Sequence, residues 1–401
     1  MRKRRAAEPL HKPQVPLLQS RGMRVTGASS PRRTRHIAIL AVVAVALMLV
    51  ACSATAPDTK TSSASPSAKL TITPTADLSK QSIVVSNWPN YMAPDTGTAF
   101  TKETKAKISI VEHASNQEVV EKIANGGKPT LDVAFVSGQY AQQLNAAGLL
   151  EPIDPKLIPN LAKLSPEAGQ LAYDPGNTFS VPYSWGTTGI CYREDLVGTA
   201  PTSWKDVLTP SGKNTKAVLM LSTQPWLNLP AAKSLGFSVN TTDAGQLKLI
   251  QAQLLKTKPL LLGYDDTTFI DRLDSGAAHM AVSWDGWCNY ATNKQVKFVL
   301  PKEGSALQAD TMVVLKSSKD KDAAMAFINF MIDNPAQTWM TDNILYKSPN
   351  KAVAEAAAKS LGKDFPNMAI PAAELAAQEA FVDIGAASTT YAQIAKTVTG
   401  Q

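Results

Sequence analysis

The residues of this chain best suited to chemistry are aromatics set beside polar turns. Asn87-Trp88-Pro89-Asn90-Tyr91 follows one apolar run, and Ser283-Trp284-Asp285-Gly286-Trp287 follows another. Val181-Pro182-Tyr183-Ser184-Trp185-Gly186 lies between two halves of a strand-helix pattern, and Tyr346 stands next to the turn signal Ser348-Pro349-Asn350. Strand ends are where α/β proteins hold ligands. Aromatic faces with one or two carboxylates make a cation cage, each contact worth ~0.5–2 kcal/mol. For any single tryptophan the core is the default place, and Trp185, flanked by what read as crossover residues, is expected there.

Catalytic sets are hard to assemble from what remains. Beyond residue 51 the only histidines are His113, ending an apolar run, and His279, beginning one. Neither has a second metal-type ligand at useful spacing, so no metal, no cofactor and no histidine-based triad is expected, and structural roles suit both. Ser360-Leu361-Gly362-Lys363 and Ser348-Pro349-Asn350-Lys351 match Ser-x-x-Lys without its companion motifs, which marks them as chance. Asn125-Gly126-Gly127-Lys128 lacks the rest of a phosphate loop and reads as a helix stop.

The elements that must position these residues begin after an N-terminal address. Arg32-Arg33-Thr34-Arg35 precedes fifteen uncharged residues, Ile37 to Ala51, which end in Leu49-Val50-Ala51-Cys52. A cationic region, a short apolar region and a small-residue exit form a secretory signal peptide, too short for a comfortable membrane span. Leu-Val-Ala-Cys resembles the lipobox of bacterial lipoproteins, which implies that Cys52 is diacylated and becomes the first mature residue. Met23 gives a more typical leader than Met1. Residues 1–51 hold ten Lys and Arg against one acid, so the whole-chain charge of +7 becomes −2 beyond them, with 30 basic and 32 acidic residues. Only Arg193 and Arg272 remain as arginines, and a nucleic-acid partner is not expected. Ser53 to about Lys80 is Ser, Thr, Pro, Ala and Lys with little to bury, and reads as a disordered tether over 52–80.

The remaining 320 or so residues suffice for two lobes, since single cores stop growing near ~250–300 residues. Strands are expected at 82–85, 107–111, 131–136, 217–221, 278–283, 297–300 and 311–315. Helices are expected at 117–125, 242–255 and 321–332; in the last, Ala324, Phe327, Ile328 and Met331 make one apolar face. This alternation indicates α/β architecture with mostly parallel strands.

From about Ser82 to the C-terminus the chain resembles the spermidine/putrescine-binding proteins of bacterial ABC importers. The resemblance is carried in order by Asn87-Trp88-x-x-Tyr91, Ala114-Ser115-Asn116, Leu131-Asp132-Val133, Val181-Pro182-Tyr183-x-Trp185-Gly186 and Pro201-Thr202-Ser203-Trp204. Leu235-Gly236-Phe237-Ser238-x-Asn240-Thr241-Thr242-Asp243, Pro301-Lys302-Glu303-Gly304, Ser348-Pro349-Asn350 and Asp383-Ile384-Gly385-Ala386-Ala387-Ser388 continue it. It implies a two-lobed periplasmic-binding-protein-like fold of type II with ligand in the interlobe cleft, lobe one being 81–183 plus 309–345 and lobe two 184–308 plus 346–401. It also implies Trp88 and Tyr91 as one aromatic wall, Trp284 as the other, Tyr346 at the rim, Ser137 as a polar cleft residue and Asp310 as the carboxylate facing a ligand amine. Asp285, one residue past Trp284, is expected as a second acid.

The family pattern breaks at three places. The acids that follow the strand at 217–221 are replaced around Ser222, Thr223 and Trp226; a tryptophan two residues before Asp310 is Gln308; and a glutamine before Asp383 is Phe381. Leaving a buried ammonium without its carboxylate costs ~2–5 kcal/mol, so a solute with cations at both ends loses its advantage. One acid and an aromatic wall suit a smaller or singly cationic molecule, with Gln308 and Ser222 available to a neutral or carboxylate end. The expectation is a monomeric, lipid-anchored importer component on the outer face of the cytoplasmic membrane, not an enzyme. It captures a polyamine or related amine and delivers it to a permease and an ATPase. The alternatives are a zwitterionic or quaternary-ammonium solute on the same fold, a secreted hydrolase, for which no nucleophile-base pair is found, or a structural lipoprotein, which needs no aromatic cleft.

Cys191 and Cys288 are the cysteines left beside Cys52. An even pair in an oxidising compartment is commonly bridged, provided the Cα atoms lie within ~7 Å. The other reading is two buried thiols acting as small apolar residues.

Overall fold

The computed structural model describes residues 77–400. The signal segment, Cys52 and most of the tether lie outside them. The strands are β1 (Ser82–Asn87), β2 (Lys107–Glu112), β3 (Val133–Ser137), β4 (Val181–Arg193), β5 (Val218–Met220), β6 (Gly263–Tyr264), β7 (Met280–Trp284), β8 (Val296–Val299), β9 (Ala306–Val314) and β10 (Glu379–Ala380). They hydrogen-bond in the order β2-β1-β3-β9-β4-β7-β5-β6, with β10 on β9 and β8 on β4. No helix among the described residues is long and apolar enough to cross a membrane.

The expectation of mostly parallel strands holds at the two flanks and where the short β10 joins β9. β2-β1-β3 and β6-β5-β7 are parallel, whereas β9 is antiparallel to both β3 and β4, and β4 is antiparallel to β7 and β8. The cause is a pair of long strands that cross between the flanks. β4 pairs with β9 as far as Thr187, then with β7 and β8 from Thr188 to Arg193. It is buried along its whole length, so it shows no alternation of polar and apolar residues, and Pro182 is accommodated where its register with β9 shifts.

Each flank has its own core. β3 is buried on both faces: Val133 and Phe135 join Ile83, Phe100, Tyr183 and Phe327 on one side, while Ala134 and Val136 join Val119, Leu144 and Val313 on the other. Helix Lys321–Met331 supplies Ala324, Phe327, Ile328 and Met331 to the first of these, the face its spacing indicates. Around β5 and β7 a second core gathers Trp204, Leu219, Leu247, Phe269 and Tyr391. Between the flanks Trp185, Leu307 and Ala309 pack on Leu171, Tyr173 and Leu375, with the Trp185 indole N–H donating to the Ser348 carbonyl at 3.1 Å.

Cys191 on β4 and Cys288, at the end of the helical turn Asp285–Cys288, are joined by a disulfide with Cα atoms 5.9 Å apart. His113 and His279 make local contacts, to the Ser86 hydroxyl at 2.8 Å and to Asn214 at 2.9 Å.

Candidate functional site

Side chains of a strand alternate between faces, so the crossing strands present two different surfaces. Trp185, Leu307 and Ala309 face the apolar side. Ser184, Gly186 and Thr188 of β4 and Gln308 and Asp310 of β9 share the opposite one, Ser184 paired with Asp310 and Gly186 with Gln308. This polar surface is the floor of the site.

At one end of the floor Asp310 is held by hydroxyl groups. The Tyr91 hydroxyl donates to its Oδ2 at 2.7 Å and Ser137 donates to its Oδ1 at 2.8 Å. The Tyr91 oxygen also lies 2.9 Å from the Ser184 hydroxyl. Ser137 is placed by β3, whose last residue it is, and by Asn116, whose side-chain amide exchanges two hydrogen bonds with it. Tyr91 is turned inward by a tight bend after β1 in which Asn90 adopts φ 58°, a conformation that asparagine tolerates well. The Tyr183 hydroxyl fixes the Tyr91 carbonyl at 2.9 Å. Trp88 packs edge-on against Tyr91 at 5.4 Å and against His113 at 4.9 Å.

Asp310 makes no ion pair among the described residues. Burial raises its carboxyl above the ordinary aspartate range, with the Tyr91 and Ser137 hydrogen bonds pulling the other way. The Tyr91 and Tyr346 phenols are pushed well above theirs, by burial first and by the neighbouring carboxylates second. Both hydroxyls therefore remain protonated donors at neutral pH.

Tyr346 lies over the middle of the floor because two glycines make room for it. A Cβ on Gly286 would stand 2.7 Å from the Tyr346 ring, and one on Gly186 would stand 3.2 Å from it while overlapping Asp285. Asp285 does not serve as the second ligand acid expected of it. Its side chain is 1 % exposed and ion-paired with Lys347, itself 5 % exposed, and its Oδ1 also accepts from the Gly286 N–H at 2.8 Å. Its carboxylate is neutralised inside the protein.

Trp284, expected as the opposite wall, ends β7 and is paired with Thr188 of the floor. Trp226 meets Trp284 edge-on at 5.5 Å and meets Phe381 at the same distance. Phe381 is tied to β9 through its N–H, which donates to the Leu307 carbonyl at 3.2 Å, and Gln308 follows on the floor with its Oε1 3.4 Å from the Thr188 hydroxyl. Trp88, Tyr91, Ser137, Asp310 and Tyr346 are thus brought to one end and middle of the floor, and Trp284 and Gln308 to the other.

Three participants escaped the sequence reading. Lys347 was hidden because nothing local marks a lysine as buried. Trp226 stands in the sequence only at a break in the family pattern. Asp266 follows the two-residue strand β6, too short to show a pattern, and accepts from the Ser222 N–H at 2.9 Å, from the Ser222 hydroxyl and from the Thr223 hydroxyl at 3.0 Å. Ser222 therefore turns to Asp266 and anchors the 222–226 loop.

Two α/β flanks, each with its own core, joined by crossing strands that bear a half-buried carboxylate with aromatic residues on either side, define a two-lobed solute-binding fold. The model of the bacterial extracellular solute-binding proteins matches residues 96–370, and the chain belongs to that family. The family is one of binding proteins rather than enzymes. The chain is 27 % identical over 309 residues to the spermidine/putrescine-binding periplasmic protein of Escherichia coli, covering 76 % of this chain and 88 % of that one. It is 29 % identical over 299 residues to the putrescine-binding periplasmic protein SpuD of Pseudomonas aeruginosa, covering 70 % and 81 %. Among solved structures, the spermidine/putrescine ABC transporter substrate-binding protein of Streptococcus pneumoniae is similar with a TM-score of 0.69 at 28 % identity, covering 80 % of this chain and all of that one.

Proposed function

We propose that this protein is the lipid-anchored, monomeric solute-binding component of an ABC importer, which captures a small amine in the cleft and presents it to a permease and an ATPase. Asp310 carries the reading: a half-buried carboxylate without an ion partner among the described residues, held by two hydroxyl donors and bordered by Trp88, Tyr91 and Tyr346. An ammonium supplies the missing countercharge, and the rings supply cation–π contact. The similarity to polyamine-binding relatives supports the same class. The lobes that close on the solute are 81–183 plus 309–345 and 184–308 plus 346–401, with β4 and β9 as the connection between them.

Calorimetry on the purified protein tests the ligand class. Heat is expected from at least one of putrescine, spermidine and short alkylamines, and none from any of them sinks the amine reading. For the anchor, Cys52→Ala is expected to leave an unprocessed or freely released protein on membrane fractionation. A membrane-bound mature form in that variant means that Cys52 is not the acyl acceptor.

A further inference from the structure

The two ends of the floor differ in what they offer a ligand. Gln308 and Asp310 are two positions apart on β9 and face the same way, which separates them by about 7 Å. The Asp310 end offers a carboxylate. At the Gln308 end two donors have no partner, the Trp226 indole Nε1 and the Gln308 Nε2, on residues each 8 % exposed; in the loop that carries Trp226, the side-chain amides of Gln224 and Asn228 are also unpartnered, at nitrogen and oxygen alike. The indole only donates, and the Gln308 oxygen is already turned to Thr188. The neighbouring acids are engaged, Asp285 by Lys347 and Asp266 by four donors of Ser222 and Thr223.

Resting on the reading that Asp310 holds an ammonium, we infer that the Trp226 and Gln308 N–H groups form a second subsite for an anionic, hydrogen-bond-accepting end of the same ligand. The preferred solute is then a short zwitterion, an ω-amino acid of four or five carbons, rather than a diamine. A carboxylate there satisfies two buried donors that would otherwise stay unpaired, and the Trp226, Trp284 and Phe381 rings enclose the methylene chain beside it. A diamine would instead set a second ammonium, which only donates, against donors. Discrimination of this kind is large because the penalty falls on buried polar groups left without a partner.

The test is calorimetry on the purified protein with three probes of one chain length: δ-aminopentanoate, pentylamine and cadaverine, supplemented by γ-aminobutanoate and putrescine. The amino acid is expected to bind at least tenfold more tightly than either amine of its length. Trp226→Phe and Gln308→Leu are each expected to bring the ratio of amino-acid to alkylamine affinity toward one. Cadaverine or putrescine binding more tightly than the amino acids overturns the second subsite while leaving the Asp310 reading intact, and loss of that binding in Asp266→Asn would identify the acid responsible. Equal affinities across the panel overturn it as well. If no probe binds at all, the amine reading itself falls, and the zwitterion proposal falls with it.

Discussion

Asp310, half-buried, and Asp285, fully buried, are two carboxylates on the same floor, and they are treated in opposite ways. Asp310 is surrounded by hydroxyls that solvate its charge without cancelling it. Asp285 is neutralised by Lys347 beneath Tyr346 and lies on a turn that the disulfide binds to β4. Two acids one residue away from ligand-type aromatics or hydroxyls look alike in sequence. What separates them is whether a cation is already inside the fold. A carboxylate with a resident lysine contributes to architecture, and one with only neutral donors remains available to a solute.

The largest effect should come from breaking the internal pair. Lys347→Met leaves Asp285 charged and buried without its partner, and should cost about 3–5 kcal/mol of unfolding free energy in urea. Adding Asp285→Asn should recover most of that loss, since the uncompensated charge is then gone. A single variant within about 1 kcal/mol of the parent protein would show that the pair is not the structural element described here.

At the other carboxylate the outcomes should be reversed. Asp310→Asn is expected to weaken ligand binding by ~2–5 kcal/mol, about 30-fold to several thousandfold, with little loss of stability. The sign of the pH effect agrees. Burial raises the Asp310 carboxyl, so its contribution to stability is present at low pH and is lost as pH rises through the raised value. The asparagine removes a charge that is unfavourable in the empty protein. Ligand affinity should run the other way, falling as acid protonates Asp310. Wild-type affinity in the asparagine variant would show that the ammonium sits elsewhere.

The disulfide sharpens the contrast, because it braces only the Asp285 side. It closes a separation of 97 positions and fixes the turn between Trp284 and Cys288. Replacing both cysteines by alanine should cost about 2–4 kcal/mol. Ligand affinity should fall through displacement of Trp284 while the Asp310 end is unaltered. Unchanged stability in the double variant would mean that hydrogen bonding between β4 and β7 already fixes the turn.

The sequence was most readable where one element carries its own pattern. The helix at 321–331 declares its buried face by spacing, and the first three strands follow apolar runs with few interruptions. β4 was unreadable as a strand because full burial removes alternation and Pro182 and Gly186 interrupt the run. Site residues marked by local motifs, such as Trp88 and Tyr91, were accessible for the same reason as the helices. Lys347 and Asp266 were not, because their roles depend on partners 62 and 44 positions away. Burial of a charge is a property of the fold, and no spacing in the chain announces it.

The smallest predicted effect concerns His113, which stands behind Trp88 on the Asp310 side. Burial holds its imidazole down at about 4 against an ordinary 6.5, with Glu118 raising and Lys122 lowering it further. Its Nδ1 is engaged with Ser86, and its Nε2 has no partner, so a second proton would enter a site with no acceptor for it. A depressed histidine contributes stability that is complete above its unfolded value and is lost as pH falls toward the folded one. The window therefore runs from about pH 6.5 down to 4, and linkage gives a loss of about 2 kcal/mol by pH 5. His113→Gln, which keeps a polar contact for Ser86 without titrating, should flatten that limb when urea unfolding is measured at about pH 8 and pH 5. An acid limb of equal depth in the variant would assign the loss to other groups. Because the ring lies 4.9 Å from Trp88, the same protonation should also disturb the aromatic wall. Affinity at acid pH should then fall through two groups on one side of the cleft, Asp310 and His113, while the Asp285–Lys347 side is unaffected.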